Sequence, residues 1–141
     1  MFVAMLEQHA HGTETASDRL RQLSIAYVRF ALLHPVHFDL MFSWKARDFA
    51  NFPGLYASSE AAFGVLRKAI AQGQAEGTIR PGGVDELALA AWSMQHGLSK
   101  LVVNQLERAE AKLATPEILS SLMNHFLLTG IGMRPSSNGK T

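Results

Sequence analysis

LRQLSIAYVRFALLHP, residues 20–35, decides the fold class. Leu20, Leu23, Tyr27, Phe30, Ala31 and His34 recur three and four apart, the spacing of one helix face. Ile25, Val28 and Leu32 carry apolar character round to other sides, so the pattern predicts a helix largely enclosed by neighbours. Pro35 sets its end, because proline drives the residue before it out of the helical conformation. The same proline suits the first position of a following helix. Upstream, Thr15-Ala-Ser-Asp18 fits a capping box with Asp in place of Glu, with Thr15 or Ser17 as the cap.

Working outward, Phe38, Met41 and Phe42 share one face of a short helix after Pro35. A loop is expected from about Ser43 to Gly54, with Pro53-Gly54 as its turn signal. From about Leu55 to Glu76 a helix carries the stripe Ser59, Phe63, Leu66 and Ile70, and Gly77 is placed to cap it. After Pro81-Gly82-Gly83, Asp85 opens a long helix with Leu87, Ala88, Ala91, Trp92, Gln95, Leu98, Val102 and Gln105 along one side. The pattern turns polar over Glu107 to Ala114. Thr115-Pro116-Glu117 then signals another start: a cap, a proline at the first helical position and an early acid. Ile118, Leu119, Leu122, Met123 and Phe126 follow on one broad face, and Gly130 is expected to stop that helix. Met1 to His9 reads as a short apolar-rich helix with no cap before it. No segment alternates with period two for long enough to be a strand. The expectation is an all-α bundle of about six helices, with residues 131–141 a disordered tail.

The chain has 141 residues, 48% of them hydrophobic and only 18% charged, which supplies a sizeable core for one domain. So low a charge fraction points to apolar surface hidden by a partner. A net charge of +1 gives no global field toward nucleic acid or acidic lipid. With no cysteine there are no disulfides and no thiolate metal sites, which fits a reducing, cytoplasmic setting. No signal peptide is evident, and the densest apolar stretch, Ile25 to Leu33, is too short to span a bilayer. No nucleophile elbow, phosphate-binding glycine loop or zinc-protease helix is present, and no catalytic role or cofactor is expected. His34 and His37 invite a metal reading. Pro35 separates them, however, and a structural zinc site usually takes four protein ligands, so no metal is assigned.

Three stretches resemble the C-terminal domain of TetR-family transcriptional regulators, in the group marked by a Trp, His, Gly signature. They are Ala26 to Pro35 followed by Phe38, Leu40, Met41 and Phe42; Ala61-Ala62-Phe63 with Gln72 to Gly77 and Ile79-Arg80-Pro81; and Ala91-Trp92-Ser93-Met94-Gln95-His96-Gly97-Leu98. The similarity runs from the first capped helix to about Gly130, and order and spacing carry it more than any single motif. The resemblance implies a small-molecule pocket, dimerisation through the last two helices, and an N-terminal helix-turn-helix domain that reads DNA. Too few residues precede Thr15 to build that DNA-binding domain. Residues 1–14 are therefore expected to be the end of the linking helix, and residues 15–130 the ligand-binding and dimerisation domain. An excised fragment, a mis-started reading frame and a natural headless relative all fit.

Candidate pocket residues are Tyr27, Phe30, His34, Phe38, Met41, Phe42, Phe63, Trp92, Gln95 and His96: an aromatic and Met-rich set with a few polar groups, as small-ligand pockets require. Trp92 and His96, four apart, share a helix face. Gly97 beside them makes sense if another backbone approaches. The plainer alternative is core packing with a satisfied structural His. Leu98, Leu101, Val102, Gln105, Ile118, Leu122, His125 and Phe126 are more apolar surface than one small bundle needs, and are expected to form an intermolecular four-helix bundle in a homodimer. The expected partners are a second copy, a small apolar or aromatic effector, and DNA only through the domain outside this chain. A helical dimer acting as a protein-interaction module is the rival reading, with a small helical enzyme or ligand carrier behind it.

Overall fold

The computed structural model describes residues 2–12, 15–42, 53–106 and 115–131. The loop expected over 43–52, the polar stretch 107–114 and the tail from 132 onward lie outside the described residues, as does the side chain of Gln105. Six helices make up the described chain: α1 (Phe2–Ala10), α2 (Ala16–Leu33), α3 (Pro35–Phe42), α4 (Pro53–Ala75), α5 (Val84–Leu106) and α6 (Pro116–Ile131). The fold is all-α, with no β-strand among the described residues. None of these helices is long and apolar enough to cross a membrane.

The helix boundaries follow the local chemistry. Thr15 sits in extended conformation and its hydroxyl accepts from the Asp18 N–H at 3.1 Å, so Thr15, not Ser17, is the cap of α2. The Thr15 hydroxyl donates in turn to the Asp18 carboxylate at 2.8 Å. A second orphan donor of that helix end, the Ala16 N–H, is met by Glu76 Oε2, just past the end of α4, at 3.1 Å. His34 closes α2 and Pro35 opens α3. Thr115 Oγ1 accepts from Ile118 N–H at the head of α6.

Two boundaries differ from the sequence expectation. Pro53-Gly54 lies in the first turn of α4 and not in a loop, since proline there surrenders an N–H that has no helical partner in any case. At the other end α6 runs past Gly130 to Ile131, which is buried and not part of a tail. The Ile131 carbonyl accepts from the Arg80 N–H at 2.8 Å, tying the α4–α5 turn to the end of α6.

α2 is the axis of the molecule and packs against each of the other five helices. Ile25, Ala26, Tyr27 and Val28 are buried in succession, which happens only where a helix has neighbours on all sides. Several of its polar side chains reach partners on other helices. Arg29 Nε, for instance, donates to Glu117 of α6 at 3.0 Å. Val102, on the same row of α5 as Leu98, turns into the core at 5% exposure, so it is intramolecular packing and not free interface surface.

The α4–α5 connection depends on a glycine on each side of the helix end. Gly77 adopts φ +73°, the left-handed conformation that ends a helix without steric cost. The Gly73 carbonyl accepts from the N–H groups of Thr78 and Ile79 at 2.9 and 3.0 Å, folding Ile79 back over Gly73 itself. A Cβ at Gly73 would lie 2.5 Å from Ile79 Cδ1 and 3.0 Å from Ala16 Cβ. Both neighbours are buried and cannot move aside. Gly73→Ala is therefore expected to destabilise the fold by about 1–2 kcal/mol, overpacking outweighing the helix propensity of alanine. Urea denaturation of the variant checks this, and unchanged or increased stability would contradict it.

Candidate ligand site

A hollow of about 270 Å³ lies between α2 and the helices around it, and all six helices contribute to its wall. Phe2 and Leu6 come from α1; Leu20, Leu23, Ser24 and Tyr27 from α2; Met41 and Phe42 from α3. The far side is built by Phe63 and Leu66 of α4, Trp92 and Gln95 of α5, and Met123, Asn124 and Leu127 of α6. The walls are chiefly apolar and aromatic, with the Phe42 and Phe63 rings 5.8 and 6.3 Å from Trp92. At 270 Å³ the hollow is nearly twice a cavity of about 150 Å³ that accommodates benzene, so a two-ring molecule is the natural size.

One polar chain crosses the aromatic wall. Trp92 Nε1 donates to the Tyr27 hydroxyl at 2.9 Å, and that hydroxyl lies 3.1 Å from His96 Nδ1. Indole only donates, so the phenol accepts from Trp92, and its own proton can go to His96 Nδ1 in the tautomer that leaves that nitrogen unprotonated. Burial, followed by the nearby Lys100 charge, lowers the His96 pKa and favours that neutral form. Burial also pushes the Tyr27 phenol well above its ordinary range, against a smaller opposite effect of the Trp92 hydrogen bond, so it keeps its proton. The relay is electrically neutral throughout, as a buried network in a low-dielectric wall requires.

Two residues of the wall, Gln95 and Asn124, each carry one buried amide atom without a partner. Ser24 Oγ donates to Gln95 Oε1, which leaves Gln95 Nε2 without a partner. Asn124 Oδ1 is also buried and accepts nothing. Among the described residues of the wall Glu60 alone carries a carboxylate, and it lies at an exposed position. Arg67 reaches it only at 3.9 Å, because the guanidinium is held by Asp85 at 2.6 and 2.8 Å.

Of the residues expected to form a pocket, Tyr27, Met41, Phe42, Phe63, Trp92 and Gln95 meet at the hollow. Four do not line it. Phe30 and Phe38 are core residues at 2% and 0% exposure. His34 caps α2 near the surface, where its ring faces that of His37 at 6.0 Å. His96 stands behind the wall, stacked on Phe38 at 5.2 Å and in contact with the wall residues Phe42 and Tyr27. The contributions of α1 and α6 were missed. Phe2 and Leu6, four apart, and Met123 and Leu127, four apart, carry a helix-face signal, but nothing in the spacing tells which face meets a cavity. Gly97 faces open space among the described residues, with nothing within 4 Å of the position a Cβ would take. Among the described residues no group of three or more His, Asp or Glu side chains is arranged to hold a metal.

On the outer side, Leu101 of α5 and Ile118, Leu122 and Phe126 of α6 stand exposed, between 50% and 60%. His125 is exposed beside them, and Leu98 is half-buried.

An all-helical bundle wound on a central helix and enclosing an apolar hollow is the class that fold and site define. Residues 20–123 match the tetracyclin repressor-like C-terminal domain, and the chain belongs to that family. Three solved structures share its fold. One is a protein of unknown function from Rhodococcus sp. RHA1, with a TM-score of 0.75 at 21% identity over 94% of this chain and 66% of that one. Another is a bacterial regulatory protein of the tetR family from Rhodococcus RHA1, with a TM-score of 0.75 at 18% identity over 95% of this chain and 68% of its own. The third is the MbdR regulator from Azoarcus sp. CIB, with a TM-score of 0.66 at 20% identity over 93% and 74%. The chain thus spans about two thirds to three quarters of the length of these structures. No curated protein matches it.

The neutral His96 has a pH signature. Its folded pKa lies below the ordinary value of 6.5, so as pH falls the unfolded chain takes up the proton first. The stability it supports is complete above about 6.5 and is lost as pH falls through that value toward the folded pKa. His96→Gln, which cannot titrate, is expected to flatten the fall in unfolding free energy between pH 7.5 and 5.5. Identical slopes for the two proteins in urea denaturation would sink the relay as drawn.

Proposed function

We propose that this chain is the effector-sensing and dimerising part of a TetR-like transcriptional regulator. The observation that carries this is the hollow walled by all six helices, α1 included. In this reading residues 1–14 are the end of the helix that leads to the DNA-reading domain of the full regulator, and residues 15–130 bind the effector and the second copy. A small apolar effector fills the hollow and bears on Phe2 and Leu6. Phe2 also packs on Tyr27 and Phe30 with ring centroids 5.5 and 4.5 Å away, so the position of α1 and the shape of the hollow are set by the same side chains. The effector shifts α1 only to the extent that it binds one arrangement better than the other. The chain acts without catalysis or cofactor, as a cytoplasmic protein.

The exposed apolar face of α5 and α6 supports the dimer. Ile118, Leu122, His125 and Phe126 recur on one side of α6, and Leu101 stands on the outer side of α5 one turn after Gly97. The open space at Gly97 admits a helix of a second copy at close range. Leu98 and Gln105 join this surface in the proposal, and Val102 does not.

Two measurements test the reading. Naphthalene, a bicyclic probe with no polar group, is expected to raise the thermal midpoint. At a hundred times its dissociation constant the stabilisation is about 2.7 kcal/mol. Ala62→Trp, which plugs the hollow, removes that response. A wild-type chain that gains nothing from such a probe contradicts the pocket. Separately, sedimentation is expected to show a dimer that Leu122→Asp with Phe126→Asp converts to a helical monomer. A monomeric wild-type chain contradicts the interface.

A further inference from the structure

The hollow has a charged mouth. Of the residues that line it, Glu60 of α4 and Leu89 of α5 alone are exposed, so it meets solvent between those two helices. The Glu60 side chain is 51% exposed, and among the described residues of the wall no Lys, Arg or His accompanies it. Its nearest cation among the described residues is Arg67, at 3.9 Å. Two nitrogens of that guanidinium donate to the two Asp85 carboxylate oxygens, at 2.6 and 2.8 Å. Asp85 therefore matches the Arg67 charge in the stronger, bidentate geometry, and the Glu60 charge is left in excess.

We infer, building on the pocket reading above, that the ligand is a cationic amphiphile, with a flat apolar body of about two rings in the hollow and an ammonium-type group at Glu60. The rings behind Glu60 favour the same sign of charge. Phe63 follows it by three residues on the same side of α4, with Trp92 at 6.3 Å, and aromatic faces attract cations. Arg67 already lies over Phe63, 5.1 Å from the ring centroid. The neutral polar groups of the wall do not oppose this. The Tyr27 hydroxyl is occupied by Trp92 and His96, and the Ser24 hydroxyl donates to Gln95. The unpartnered amide atoms of Gln95 and Asn124 are sealed from solvent. The half-buried Ser59 hydroxyl can donate to an anion or accept from a cation, so the carboxylate beside it decides the sign. Because Glu60 is half in water, its pull is that of a surface ion pair: the hollow supplies the affinity and Glu60 a preference of a few-fold.

A matched series on one ring system tests this with the whole chain. Naphthalene, 2-naphthylmethanol, 2-naphthylmethylamine and naphthalene-2-carboxylate are titrated calorimetrically at neutral pH. The amine, protonated there, is expected to bind about threefold to tenfold tighter than the alcohol, its neutral counterpart of the same size, and the carboxylate weaker than the alcohol. Raising the salt from about 20 mM to about 500 mM narrows the gap, because an exposed carboxylate is open to screening. Glu60→Gln brings the amine to the level of the alcohol and leaves naphthalene unchanged. The inference is overturned if the amine binds no tighter than the alcohol, if the carboxylate matches the amine, if the preference survives Glu60→Gln, or if the amine still binds to Ala62→Trp. Naphthalene binding with no preference for the amine sinks this inference alone. Failure of all four ligands sinks the pocket reading with it.

Discussion

The structure depends on the enclosure of α2. A helix with neighbours on most sides keeps little solvent face, here Asp18, Arg21 and Arg29, so a polar group turned inward must find a partner across a helix–helix contact. Ser24 finds Gln95, Tyr27 finds Trp92 and His96, and even the exposed Arg29 finds Glu117. The first two contacts lie one turn apart on α2 and close together on α5, and together they fix how the two helices register. Apolar packing alone tolerates sliding far better than a set of directional bonds does. The same enclosure explains why a hydroxyl sits deep in an aromatic cluster at all: it orients Trp92 and meets His96.

The hollow is the complement of that order. α2 and α5 are pinned to one another by hydrogen bonds, whereas Phe63 and Leu66 of α4 are only partly buried and face Leu20 and Leu23 across a gap. Filling it from within the chain would require larger side chains at Ala62 or Ala91, both of which line it. Unfilled space beside apolar walls forfeits dispersion contacts that a guest of the right shape can supply. Because α1 and α6 close the hollow from opposite helices of the chain, whatever occupies it touches both the segment before α2 and the helix that carries the exposed apolar face.

Much of this was legible in the residues. The Thr15 and Thr115-Pro116 starts, the Pro35 break and the Gly77 stop are local chemistry, and local chemistry is what a sequence states directly. The enclosed character of α2 was legible too, because Ile25 and Val28 lie off the main apolar stripe. What could not be read was which of two inward faces meets a core and which meets a cavity. Phe38 and Phe42 share a helix and a residue type, yet one is sealed among its neighbours and the other borders open volume. Leu101 and Val102 make the same point outside the pocket. They are adjacent, about 100° apart on the helix, and that single step separates solvent from core.

His96 shows how a residue can matter to a site that it does not line. Its ring packs on Phe38 and Phe42, its Nδ1 holds the Tyr27 proton, and Tyr27 in turn holds Trp92 at the rim of the hollow. Protonating His96 would leave the phenol facing an N–H instead of an acceptor, and the Tyr27 proton would have to turn elsewhere in a buried wall. A spacing of four between Trp92 and His96 therefore serves two hydrogen bonds on one hydroxyl, and explains the pair better than two independent contacts with a ligand would.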